Sequence, residues 1–567
     1  MKKLVSFAAL TALLLTLVIP SFAVAADRPA RGDVNADSAI NMKDVLAMRK
    51  FIAGISALNE EAADVNGDST VNMKDVLLLR KYIAGMAVEF APYNDTTSAV
   101  SPTATTAKTA APTSGATTAP TQKRTTHKPY EDFSPYYMET TLPDRVTLSY
   151  YDANSESLAI TWHTTLEVKE PVVQYVKASD VAAADFSKAD SKAATTEIFN
   201  AKGMPYDPVT NLVLRTNQQG FMTVEDFTHR VVLDTLDYNT TYAYRVGDKS
   251  SGVWSDTYTF KTRPETIDEF SFVYISDTQV SNPWEVGSEH YMHDALIGAA
   301  EKDPNFSFII NGGDVVETSW HLHLWQTQLN GNKDFLTRYP FMTVSGNHEG
   351  QNDGYAPYSI HRHLTTEMPE QNDTLDTGVY YSFNYGNAHF AVLNTCSDGQ
   401  RSPNLDSAQE AWLEQDLKAA ADSKWKIVVM HVPMVGKHET LGSVHRLFLE
   451  TGVDMVLEAD EHMFLRSYPI GERSTTITNY ESRTEDGVKY AVNPKGVIYS
   501  MYATGGDATQ GTTALEKANW LEYYANGKQS TWANISVSAD RITVHPYYYS
   551  GGVKTYIGNA TWGIIKE

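Results

Sequence analysis

Residues 453–470 read VDMVLEADEHMFLRSYPI. The apolar run from Val453 to Leu457 predicts a buried strand, and just past it come Glu458, Asp460, Glu461 and His462. Carboxylates gathered at the end of a buried strand repel one another unless positive charge lies among them. The same arrangement recurs upstream. FSFVYIS runs into SDTQ, which supplies Asp277 and Gln279; FSFIING runs into GGDVVE, which supplies Asp314. YPFMTVSG is followed by GNHE, with Asn347, His348 and Glu349, and WKIVVMH ends in His431. Five apolar strands thus terminate in oxygen or imidazole groups. Helical patterns alternate with them, so residues 268–567 are expected to form an α/β domain whose site lies past the carboxyl ends of its strands. Within it, SAQEAWLEQDLKAA predicts a helix, with Ser407 and Glu410 spaced for a capping box.

The remainder of the 567 residues is organised differently. Lys2 and Lys3, an apolar run and the small residues up to Ala26 predict a secretory signal peptide over 1–26. Residues 91–130 are rich in Thr, Ala, Pro and Ser and are expected to be an extended linker, a candidate for O-glycosylation. Residues 140–263 carry short alternating runs such as RVTLSYY, SLAITWH and TYAYRVG, which predict a β-sandwich with Trp162 in its core. No cluster of acids or histidines is legible there, so no chemistry is assigned to it. The one cysteine, Cys396, ends an apolar run; it excludes an intrachain disulfide framework and reads as a buried thiol. A net charge of −23 without a large basic block excludes a nucleic-acid patch, and no further stretch is apolar enough to span a bilayer.

Residues 32–90 contain one motif twice, GDVNADSAINMKDVLAMRKFIAGI and ADVNGDSTVNMKDVLLLRKYIAGM. Asp33, Asn35, Asp37, Asn41 and Asp44 occupy positions 1, 3, 5, 9 and 12 of a loop, as do Asp64, Asn66, Asp68, Asn72 and Asp75. That spacing wraps hard oxygen donors around a calcium ion, so two Ca²⁺ are expected. The pair resembles a type I dockerin, a small all-α calcium-binding module. The resemblance implies docking onto a cohesin module of a scaffold protein, as in cellulosomes. The recognition positions would be Met42, Lys43, Arg49 and Lys50, with Met73, Lys74, Arg80 and Lys81 as their repeat.

The strand-end series, with YYSFNYGNAHFAVLNT and GVIYSMYATGGDA, resembles the calcineurin-like metallophosphoesterase superfamily. The layout is that of purple-acid-phosphatase-like proteins, in which a fibronectin-III-like sandwich precedes an α/β metallophosphoesterase sandwich. The resemblance implies two divalent metals drawn from Mn, Fe, Zn or Mg. Asp277, Gln279, Asp314 and His462 would hold one; Asp314, Asn347, His431 and Asp460 the other, with Asp314 bridging. It also implies that a metal-bridging hydroxide attacks a phosphate ester, monoesters being favoured, while His348 contacts the phosphoryl group and protonates the leaving oxygen. Three positions depart from the family pattern. Ala459-Asp460-Glu461-His462 stands for G-H-x-H, Gln279 for a common histidine, and Glu317 for the tyrosine of the coloured enzymes. The harder oxygen ligation favours Mn²⁺, Mg²⁺ or Ca²⁺ over zinc. The sequence therefore describes an exported, scaffold-bound phosphoesterase of a polysaccharide-degrading complex. The alternatives are a phosphatase-like domain that has lost turnover and acts as a binding component, and, less in keeping with the metal-type ligands, a glycoside hydrolase.

Overall fold

The structure is a computed structural model that describes residues 30–34, 40, 44, 47–48, 59–67, 70–71, 75, 78–79, 82, 90–91, 140–203, 222–279, 290–350, 358, 361, 363, 379–396, 401–436, 441–502, 505–506, 518–525, 530–550, 553–556 and 560–567. The expected signal peptide and all but the first residue of the linker lie outside these residues. The chain divides into two compact units, Met1–Arg124 and Thr125–Glu567.

In the first unit a small core gathers Val34, Met48, Ala63 and Leu79, packed by Ile40, Val71 and Phe90. Met48 and Leu79 come one from each repeat and are fully buried. A short helix, Glu60–Ala63, is capped by Asn59, whose side chain accepts the Ala62 N–H.

The second unit begins with the expected sandwich. One antiparallel sheet contains β1 (Asp144–Tyr150), β2 (Leu158–Thr164), β3 (Thr195–Gly203) and β4 (Met222–Leu233), in the order β1-β2-β4-β3. Five strands make the facing sheet. Trp162, Tyr242 and Tyr244 are buried between them, as the alternation predicts. Their core is continuous with Phe270, Phe308 and Phe390 of the following domain, and Tyr244 donates a hydrogen bond to Thr337 O at 2.8 Å. The sandwich is therefore bonded to the α/β domain through shared apolar burial.

The α/β domain is two stacked sheets flanked by helices. In one, β5 (Phe270–Ile275), β6 (Ile309–Asn311) and β7 (Phe341–Thr343) run parallel. In the other, β8 (Trp425–Met430) and β9 (Met455–Glu458) run parallel. Period-two alternation divides each strand between two cores. Phe272, Tyr274, Phe308 and Ile310 meet Phe390, Ile427 and Leu457 between the sheets. Val273, Ile275 and Ile309 face the helix-covered side with Met292 and Trp325. Tyr274 donates to Glu458 O at 2.8 Å and ties the sheets together beneath their carboxyl ends. Cys396 is buried and unbridged. The helix Ser407–Ala419 forms as expected but with a different cap. Asp406 accepts the N–H groups of Ala408 and Gln409, while Ser407 is already helical. A carboxylate one residue upstream takes the capping role because its charge also complements the helix N-terminus.

Candidate metal centre

The carboxyl ends of β5 to β9 converge from both sheets. Asp277 and Gln279 follow β5, Asp314 follows β6, Asn347 and His348 follow β7, His431 follows β8, and Asp460 and His462 follow β9. Each of these side chains is buried except that of His348, which is partly exposed. Oxygens or ring nitrogens of Asp277, Asp314 and His431 lie within 4.8 Å of one another. Asp314 is central. Its Oδ2 is 3.2 Å from His431 Nε2, 3.8 Å from His348 Nε2 and 3.3 Å from Gln279 Nε2. His462 Nε2 lies 3.4 Å from Asp277 Oδ1. Asn347 Oδ1 and Asp460 Oδ1 lie 3.2 Å and 3.6 Å from His431 Nε2.

Four of these residues hold strained backbone. Asp277, Asp314, Asp460 and His462 have φ of 50°, 53°, 67° and 51°. Left-handed backbone in non-glycine residues costs energy and persists where the surroundings enforce it, commonly at functional sites. Two glycines permit the close packing. A Cβ at Gly313 would lie 2.5 Å from His431 Nδ1, and one at Gly346 would lie 2.1 Å from Asp314 Oδ1.

The residues fit a pair of divalent cations. Asp277 Oδ1 and Gln279 Oε1 are buried and make no hydrogen bond, although buried acceptors are normally satisfied. His431 Nδ1 faces Gly312 O at 2.9 Å and must donate there, which directs the Nε2 lone pair into the cluster. As placed, Gln279 turns its nitrogen toward Asp314; the opposite amide orientation presents Oε1. Without a cation, protons carry the positive charge. Burial works against a charged His431, but Asp314, Asp277 and Asp460 outweigh it and raise its pKa to about 10. Burial likewise opposes ionisation of Asp314, yet His431 and His348 hold it well below the usual carboxylate range.

Sequence reading left two parts of this site without a role. Glu349 is fully buried, and its carboxylate accepts the N–H groups of Asp314, Val315, Val316 and Gly346 at 2.8, 2.8, 3.3 and 2.9 Å. It shapes the turn that carries Asp314. Burial and the Asp314 charge push its pKa up to about 7. The second is Arg401, whose Nε donates to Asn347 Oδ1 at 3.2 Å and lies 3.1 Å from Asp460 Oδ1. The local sequence SDGQRSPN carries no signal for this role. Glu458 of the opening stretch stands apart from the ligand cluster, where its Oε1 accepts the Met434 N–H at 2.6 Å.

The sandwich, expected to hold no such group, contributes to a second cluster. His163, Asp226 and His361 also bring donor atoms within 4.8 Å of one another. They are separated by up to 198 positions in the chain and meet only because β2 pairs with β4 and the α/β domain packs on that sheet. His361 is buried and stacks on Trp325 with ring centroids 4.2 Å apart.

In the first unit Asp33, Asp44, Asp64 and Asp75 are buried. Asp44 Oδ1 accepts the Val34 N–H at 2.9 Å, and Asp75 Oδ1 accepts the Asn66 N–H at 3.1 Å, so the twelfth residue closes each loop onto its start. Asn35, Asp37, Asn41, Asp68 and Asn72 lie outside the described residues. So do all eight recognition positions, Met42, Lys43, Arg49, Lys50, Met73, Lys74, Arg80 and Lys81.

Comparison with known proteins gives the same order of modules. Residues 31–84 match the type I dockerin domain, 143–262 the purple acid phosphatase N-terminal domain and 270–464 the calcineurin-like phosphoesterase family. The chain is 23% identical over 310 residues to purple acid phosphatase 23 of Arabidopsis thaliana, covering 49% of this chain and 62% of that protein. It is 24% identical to purple acid phosphatase 1 of Ipomoea batatas, covering 45% of this chain and 54% of that protein. It thus spans little more than half the length of these relatives. The solved structure of a purple acid phosphatase from yellow lupin (Lupinus luteus) seeds superimposes with a TM-score of 0.58 at 16% identity, covering 75% of each chain, and shares the fold. The chain therefore carries, in order, regions that match the type I dockerin domain, the purple acid phosphatase N-terminal domain and the calcineurin-like phosphoesterase domain.

Proposed function

We propose that this protein is an exported metal-dependent phosphatase, attached through its dockerin to a cohesin-bearing scaffold and acting on phosphate monoesters. One observation carries the proposal: buried carboxylates and imidazoles, with hydrogen-bonding oxygens left over, converge at the ends of five strands, four of the residues on strained backbone. Two divalent cations bound there would offset the charge of a phosphoryl group and activate water. Asp314 reaches both halves of the cluster and is the proposed bridge. Asp277, Gln279 and His462 form one half; Asn347, His431 and Asp460 form the other.

His348 is the proposed proton donor. Its Nδ1 faces Glu317 O at 2.7 Å, so that nitrogen donates and Nε2 is turned toward Asp314. Burial disfavours its charged form, but Asp314 and Glu317 outweigh burial and raise its pKa. In its protonated form such an imidazole can donate to a departing alkoxide. The apolar residues before Ala26 support export, and the two calcium-type loops support the cohesin partner.

The experiment is hydrolysis of p-nitrophenyl phosphate by the full chain, first stripped of metal and then reloaded with Mn²⁺. Turnover that returns with metal and is lost in Asp314→Asn supports the reading. A metal-loaded protein that cleaves no phosphate ester leaves a binding component instead.

A further inference from the structure

Arg401 has a position the phosphatase reading does not use. Asp277, Asp314 and Asp460 place three carboxylates in one buried cluster. Among the described residues, Arg401 is the one lysine or arginine in ion-pair contact with any of them, through Asp460 at 3.1 Å. Its Nε is tethered at the edge of the cluster by Asn347 and Asp460. The side chain is 55% exposed while that of Asp460 is 6% exposed, so the guanidinium stands at the mouth. Neither terminal nitrogen makes a hydrogen bond among the described residues. A guanidinium anchored by Nε with both terminal nitrogens uncommitted presents a fork that fits two oxygens of a phosphoryl group. Across a chain of net charge −23, a fixed cation at the mouth also counters the field that repels an anionic substrate.

We propose that Arg401 is the phosphate-gripping residue of this site, offsetting the Asp460 charge and donating both terminal N–H groups to non-bridging oxygens of a terminal phosphoryl group. The assignment rests on the phosphatase reading for its substrate class, and binding of inorganic phosphate separates the two. The full-length chain, loaded with Mn²⁺, is titrated with inorganic phosphate as wild type, Arg401→Gln and Arg401→Lys, and Mn²⁺ per chain is measured on the same samples. Arg401→Gln is expected to weaken phosphate binding tenfold or more with Mn²⁺ content unchanged. Arg401→Lys is expected to recover part of that loss. With p-nitrophenyl phosphate, KM should rise more than kcat falls.

Unchanged phosphate affinity in Arg401→Gln overturns the proposal. So does a parallel loss of Mn²⁺, which would make Arg401 a support for Asn347 and Asp460. Wild type that binds no phosphate overturns both readings. Arg401-dependent phosphate binding in a protein that cleaves no ester supports the grip and overturns the phosphatase.

Discussion

Two clusters in the second unit have nearly the same ingredients. Asp277, Asp314 and His431 at the strand ends, and His163, Asp226 and His361 between the domains, each bring three buried donors within 4.8 Å. They differ in how their charge is balanced. In the interdomain cluster, Arg145 grips Asp226 at both oxygens, NH1 to Oδ2 at 2.9 Å and NH2 to Oδ1 at 2.7 Å. Arg145 NH1 also reaches His361 Nε2 at 3.1 Å. A guanidinium already fills the centre, and a metal ion there would have to displace it. At the strand ends the guanidinium of Arg401 stands at the rim, and the described groups inside are carboxylates, side-chain amides and imidazoles. The lesson is that residue types and spacing do not identify a metal site; an internal cation decides it. Here the second cluster is a fastener between the sandwich and the α/β domain. Arg145 N donating to Asn330 and Gln326 donating to Asp144 extend it.

The largest expected difference concerns catalysis. Asp314→Asn should lower kcat/KM on p-nitrophenyl phosphate by on the order of 10³-fold, about 4 kcal/mol of barrier, whereas Asp226→Asn should leave activity per folded molecule unchanged. Steady-state kinetics beside a circular-dichroism check of folding reads both. Next comes stability. Arg145→Met strands the buried Asp226 carboxylate and should cost about 3–5 kcal/mol in urea unfolding, with the paired Arg145→Met, Asp226→Leu variant recovering much of it. If the single variant proves neutral, the fastener interpretation fails.

Acid should separate the clusters further. Burial, reinforced by Arg145, lowers the pKa of His163, and burial with His163 nearby pushes His229 down to about 4. An unfolded histidine takes up a proton near pH ~6.5, while these stay neutral in the fold. The unfolded chain then binds more protons, so stability should fall as pH drops from that value toward about 4. Urea midpoints at several pH values check the slope, and His229→Gln should flatten it. The smallest effect is expected from His361→Gln, which removes the ring stacked on Trp325 and its contact with Arg145, at a cost of about 1 kcal/mol, and should leave Mn²⁺ content unchanged.

Much of the fold was legible because it rests on short-range pattern. Apolar runs such as FSFVYI and WKIVVM gave the strands, and the residues just past them, Asp277, Asp314, His431 and Asp460, are those the structure brings together. What sequence could not supply depends on distant pairing. Asp226 meets His163 through strand register and Arg145 across the sheet. Arg401 reaches Asp460 from a loop with no motif, and Glu349 turns inward to hold the backbone at Asp314 while its neighbour His348 faces the opening. The Asp406 cap was missed by one residue because Ser407 and Asp406 both carry capping side chains, and charge separates them.

The most direct test of the central claim is anomalous diffraction from crystals of the full chain soaked in Mn²⁺. The expected result is two peaks, one between Asp314 and the Asp277–His462 pair and one between Asp314 and the Asn347–His431 pair, with none beside Arg145. Strand ends without a peak, or manganese bound among His163, Asp226 and His361, would contradict the account.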